Sequence, residues 1–331
     1  TPEVVAGMKA LGCRIDPAEI WKPGQKSLAM AVVNLGGGTG SFVSADGLIL
    51  TNHHVAFGAV QSLSSPERNY IRDGFLAADR GQEVHAPGYS VRVMTGFDDV
   101  TPRFARALRP GLDPERRRLL VERISKELVA AGEKTPGNEC VVAGFYGGAR
   151  FYLVTYLRIR DMRVVYVPAR SVGEYGGEVD NWMWPRHTGD FSFLRAYVGR
   201  DGRPADHSPD NVPFKPLHYF PIAKTPLRPG DFTMILGYPG TTKRWLAAAE
   251  VANEVEANYP GRIALLERYI ALLERLSAAD EAVGIKNAGV LKGLYNSIKN
   301  NRGMLAGLER DAVLAAKAAD EQQLAAWIAA D

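Results

Sequence analysis

Two short segments hold most of the side chains able to do chemistry. The first, TNHHVAFGA (51–59), sets His53 and His54 side by side after the apolar run Leu48-Ile49-Leu50. An imidazole at the end of a packed strand suits general acid–base work, because it titrates near neutral pH. Adjacent side chains on a strand point to opposite faces, so the two histidines are expected to play different roles. The plainer alternatives are two structural histidines or a metal pair. The metal pair has little support: HH lacks the i, i+4 spacing of a helical zinc motif, and no HExxH or CxxC occurs.

The second segment, EVDNWMWPRHTGDFSFLRAYV (178–198), gathers Asp180, Asn181, Trp182, Trp184, His187 and Asp190. Aromatic rings with a few polar groups line ligand pockets. Large aromatics also dominate cores, so Trp182 and Trp184 read equally well as packing. A histidine at one strand end and an aspartate more than 130 residues later supply two thirds of a Ser-His-Asp triad. The Asp would fix the imidazole tautomer and stabilise the imidazolium. His before Asp is the chain order of chymotrypsin-like enzymes, where Ser comes last.

The surrounding pattern names the elements that would carry these groups. SFVSADGLIL puts Asp46-Gly47 between two apolar runs, a hairpin signal. Further strands are expected at 151–159, 163–167, 191–198 and 232–240, which suggests a barrel or sandwich. Asp113-Pro114-Glu115 starts a helix carrying Leu119, Leu120, Ile124, Leu128 and Val129. Its Arg116-Arg117-Arg118 run reads as a solvated face. Beyond 245 the pattern is helical. Leu265, Leu266, Tyr269, Ile270, Leu272, Leu273 and Leu276 form one apolar face. Tyr259-Pro260-Gly261 is expected to break the helix before that face, and Gly284 and Gly289 to weaken the region after it. Leu305, Leu308 and 313–328 suggest another helix.

Composition agrees with two parts. Residues 1–244 hold 28 of the 34 Gly and 19 of the 20 Pro, whereas 245–331 hold 21 Ala and only 9 basic against 12 acidic residues. The division expected is 1–244, mainly β, and 245–331, α. For the 331 residues the net charge of +3 is too balanced to argue for nucleic acid or an anionic membrane. No apolar run reaches transmembrane length. Two cysteines, Cys13 and Cys140, allow one disulfide at most and leave its existence open. The start, TPEVVAGMKALG, lacks the basic and apolar regions of a secretory leader. The last residues, LAAWIAAD, halt inside a helical pattern, as a fragment would.

GTGSFVSADGLILTNHHVAFGAVQ, RNYIRDGFLAADRGQEVHAPGYSVRVM, GGEVDNWMWPRHTGDFSFLRAYV and DFTMILGYPGTTKRW together resemble the chymotrypsin-fold bacterial dipeptidyl-peptidases of the dipeptidyl aminopeptidase BII type. The likeness runs through nearly the whole chain. It implies a chymotrypsin-like double β-barrel, incomplete here, over 1–244, followed by the start of an α-helical cap domain over 245–331. It implies a serine exopeptidase that releases dipeptides from free amino termini. By position, the resemblance makes His54 the general base and Asp190 its partner. Asn181 and Trp182 match the clamp on the substrate's ammonium group, with Asn296 in LYNSIKNN as its third member and Asn300 as the lesser choice. An ammonium keeps its charge in a pocket only where acceptors and π-faces replace its water. Peptide substrates with a free amino terminus are the partners implied. A homodimer and a periplasmic or secreted location follow from the likeness alone. No cofactor and no metal are expected.

Two departures stand out. Family members carry Cys directly after the catalytic His, paired with a Cys in a GCTGSF-like strand; here those positions are Val55 and Gly38. The family's nucleophile sits in a GNSGS-type segment, and none of the thirteen serines lies in G-x-S-G. Ser41 in GTGSF is the nearest imitation. The nucleophile is therefore expected beyond residue 331, and these residues alone should be nearly inactive. The alternatives are a non-catalytic binder of peptide amino termini on a protease fold, and a glutamyl-endopeptidase-like serine protease.

Overall fold

In the computed structural model, which describes residues 2–22 and 25–330, SFVSADGLILT folds as the expected hairpin. Strands β2 (Thr39–Phe42) and β3 (Leu48–Thr51) pair antiparallel with Phe42 opposite Ile49. Gly47 takes φ +69 at the turn, and a Cβ there would lie 2.8 Å from Phe214 O. Only glycine meets both demands.

The hairpin lies in the middle of an antiparallel sheet. The other strands are β1 (Val32–Asn34), β4 (Phe75–Leu76), β5 (Val84–His85), β6 (Val91–Asp99), β7 (Asn138–Phe145), β8 (Arg150–Ile159), β9 (Asp161–Val167), β10 (Ser192–Val198) and β11 (Val212–Pro213). Their order is β4-β9-β10-β3-β2-β1-β6-β8-β7, with β5 on β9 and β11 on β10. Val33, Phe42, Ile49, Val91, Val164 and Leu194 are fully or almost fully buried on it. The helix Pro114–Gly132 begins as expected, with the Asp113 carboxylate accepting from Arg116 N. It buries Ile124 against Phe104 and Phe151 and leaves Leu119 in solvent. Arg118 pairs with Glu115 and Glu122 on its exposed side. Cys13 and Cys140 are buried and free, not bridged.

The chain divides into two units. One comprises 1–59, 75–167 and 191–239 and holds the sheet. The other comprises 60–74, 168–190 and 240–331 and is helical. In the helical unit, helix Tyr259–Ala279 packs along helix Glu281–Arg310, and helix Val313–Ala330 comes next in the chain. Asp331, on which the expected truncated ending falls, lies outside the described residues. No helix among the described residues is long and apolar enough to cross a membrane.

Four expectations need correction. Helix takes 46% of the chain and strand 18%, so the fold is mixed rather than mainly β. Residues 232–240 form no ladder among the described residues. Their burial still alternates residue by residue, and Phe232, Met234 and Leu236 line a cavity of about 430 Å³ with Ser41. An extended segment becomes a strand only when a neighbour takes its hydrogen bonds. Pro260 does not break the helix. It falls in the first turn of Tyr259–Ala279, directly after a π-helical turn over Glu254–Asn258, and the chain stays helical across it. Gly284 and Gly289 lie inside Glu281–Arg310, a continuous helix that also takes in Leu305 and Leu308. A Cβ on Gly289 would come within 2.5 Å of Gln61 Oε1, and Gln61 Nε2 donates to Ile285 O and Lys286 O at 2.7 and 2.8 Å. That glycine makes room for a neighbour.

Candidate active site

His53 and His54 open the helix His53–Ser62 instead of ending a strand. Successive helical positions are separated by about 100°, so the two rings still part company. His53 is buried at 1% exposure and packs edge-on against Phe57; His54 is exposed. Tyr89 braces this helix, donating to Val55 O at 2.9 Å and accepting from Ala59 N at 3.1 Å. A Cβ on Gly58 would meet the Tyr89 hydroxyl at 2.9 Å. Gly38 and Val55 lie in contact: a Cβ built on Gly38 would be 3.6 Å from Val55 Cβ.

The β3–β10 register sets Thr51 opposite Ser192. The chain leaves β3 toward His54 and enters β10 from Asp190 at one end of this strand pair. Asp190 is half-buried. Just before it, Gly189 N donates to Val172 O at 2.9 Å, and a Cβ on Gly189 would strike Val172 at 2.8 Å.

In the helical unit, three residues far apart in sequence come together. Asn181 Nδ2 donates to Asn296 Oδ1 at 3.2 Å, and Trp182 Nε1 donates to Asn296 O at 3.2 Å. It is Asn296, not Asn300, that makes these bonds. Trp182 is 59% exposed and Trp184 91%, so neither is core. Trp182 also takes φ +60, a left-handed conformation costing a bulky residue about 1–2 kcal/mol. Such strain gathers at binding and catalytic sites.

The supporting residues carried no signal that singled them out. Glu178 Oε2 accepts from Asn181 Nδ2 at 3.3 Å, and Arg186 Nη1 donates to Asn181 Oδ1 at 3.2 Å. Lys299 donates to the carbonyls of Glu178 and Val179, at the end of the short helix Gly177–Asp180. Lys292 pairs with Glu174, which also accepts from Arg170. Burial alone would raise the Glu174 carboxyl; Lys292 and Arg170 outweigh it and hold it below the ordinary carboxylate range. Asn296, Lys299 and Lys292 share one helix at spacings of three and four, so one helical face serves the whole cluster. Only that periodicity could have found the two lysines.

The family model described as peptidase S46 matches residues 2–331. The chain belongs to the peptidase S46 family. Within it, a dipeptidyl-peptidase 7 of Porphyromonas endodontalis is 40% identical over 325 residues, 97% of this chain and 40% of that protein. An Asp/Glu-specific dipeptidyl-peptidase of Shewanella putrefaciens is 38% identical over 299 residues, 90% of this chain and 41% of that protein. The crystal structure of Porphyromonas endodontalis DPP11 in complex with the dipeptide Arg-Asp matches with TM-score 0.90 at 35% identity, covering 98% of this chain and 48% of that one. This S46 chain thus spans less than half the length of the relatives it matches.

Proposed function

We propose that the protein is a serine exopeptidase that releases dipeptides from the free amino terminus of peptides. The observation that carries the reading is the meeting of Asn181, Trp182 and Asn296. Two amide side chains and an exposed indole offer acceptors and a π-face to an ammonium group, and Glu178 adds a carboxylate beside them. S46 membership supports the reading, as do the dipeptidyl-peptidase names of the relatives.

In this reading His54 is general base and then general acid, taking the proton of a serine hydroxyl and returning it to the leaving amine. Asp190 orients the imidazole and stabilises its charged form. The serine lies outside these 331 residues, so they alone would be nearly inactive. The sheet unit is the first part of a chymotrypsin-like double barrel, and the helices from 245 begin a cap that stops longer amino-terminal extensions. Holding the ammonium two residues from the scissile bond makes the products dipeptides. A periplasmic or secreted homodimer belongs to the same reading.

Kinetics of the full-length protein on dipeptidyl-coumarin substrates test the clamp. Asn181→Ala and Asn296→Ala should each raise KM by about tenfold or more, the loss of one hydrogen bond to a charged group. An unchanged KM in both variants would remove the clamp from the mechanism.

A further inference from the structure

Asp161, at the start of β9, is fully buried. Its Oδ2 accepts from Arg163 Nη2 and Asn211 Nδ2, both at 2.9 Å. Its Oδ1 faces two imidazoles. His207 Nδ1 is 2.9 Å away and His85 Nδ1 3.7 Å; Arg163 Nε lies 3.3 Å from the same oxygen. The two rings stack with centroids 4.1 Å apart. His85 Nδ1 is buried and makes no hydrogen bond among the described residues. The three donor atoms lie within 4.8 Å of one another. The cluster lies in the sheet unit and takes no part in the proposed peptidase chemistry.

We propose that His85, Asp161 and His207 bind a divalent transition-metal ion of the zinc class. Two imidazoles and a carboxylate are a zinc donor set, and three protein ligands leave one position open. Metal–ligand distances of about 2.0–2.1 Å in a tetrahedron set ligand atoms about 3.3 Å apart. The two observed separations from Asp161 Oδ1 bracket that value. A bound ion replaces the direct His207–Asp161 hydrogen bond and gives His85 Nδ1 the partner it lacks. The stacked rings must turn about their outer side-chain bonds to share one ion. Both side chains are 30–40% exposed, which leaves the rings room to turn. Arg163 and Asn211 hold the other carboxylate oxygen, Oδ2, as outer partners of metal ligands do, while Arg163 Nε also reaches Oδ1. His85 and Asp161 stand on adjacent strands, with His85 opposite Arg163 in the β5–β9 register. His207 comes from the loop between β10 and β11. No local motif joins positions 85, 161 and 207, which is why sequence reading expected no metal.

The test uses full-length protein stripped with a chelator and titrated with zinc chloride against a chromophoric chelator, with thermal unfolding followed in parallel. One equivalent should bind and raise Tm. His85→Ala and His207→Ala should each weaken that equivalent at least ~100-fold and abolish the Tm rise, with circular dichroism unchanged. His207→Gln serves if an alanine variant fails to fold. His54→Ala, outside the cluster, should bind zinc like the parent. Equal uptake by the His85 and His207 variants, or no uptake by the folded parent at 100-fold excess zinc, would overturn the proposal.

Discussion

At the scale of single residues, the two adjacent histidines differ in burial. Strand alternation would part them too, yet they open a helix, which buries His53 and exposes His54. Sequence pattern shows that neighbouring side chains diverge, but not which backbone does it. Gly38 and Val55 show the opposite case. Their contact is invisible to periodicity and came only through a family likeness, and the structure sets their Cβ positions 3.6 Å apart. That separation lies within disulfide range, and Gly38 does not need a left-handed φ. The double variant Gly38→Cys with Val55→Cys should therefore oxidise spontaneously. It should gain up to about 3 kcal/mol, read as a rise in Tm that reductant reverses. Failure to cross-link would show that the residue leading into β2 and the helix bearing His54 are not held as described.

At the scale of elements, boundaries with local chemistry were legible. Asp113 capping its helix by accepting from Arg116 N and Gly47 turning the hairpin are examples, because the partner lies a few residues away. Residues 232–240 were not, since an alternating segment names no ladder partner. The support beneath Asn181 and Trp182 was equally hidden, because Glu174, Glu178, Lys292 and Lys299 meet across more than a hundred positions. Two predictions belong here. Lys299→Met leaves the carbonyls of Glu178 and Val179 without their donor. It should raise KM several-fold with kcat nearly unchanged, and an unaltered KM would show that the short helix is held without it. Glu174→Gln should cost about 2 kcal/mol in urea unfolding, the scale of a charged hydrogen bond. The Glu174 carboxyl is depressed in the folded state. Its contribution is therefore complete above the ordinary carboxylate range and lost as pH falls through the lowered native value. The stability difference between parent and Glu174→Gln should vanish in acid; a constant difference across pH would contradict the ion pair.

For the whole molecule, composition marked the passage into Ala-rich helices near 245. It could not show that 60–74 and 168–190 fold with those helices, because a contact-built unit need not be contiguous in sequence. Nor did the abundance of short strands reveal that helix exceeds strand. Asn181, Trp182 and Asn296 were singled out through family likeness alone, and in the structure the three meet. The most direct test of dipeptide release compares two substrates of the full-length protein, identical except that one has a free amino terminus and the other an acetylated one. The free peptide should be cut after its second residue with kcat/KM at least ~100-fold higher, and His54→Ala should lower that rate by about a thousandfold or more. Equal cleavage of the acetylated peptide would contradict the amino-terminus clamp and the exopeptidase assignment with it.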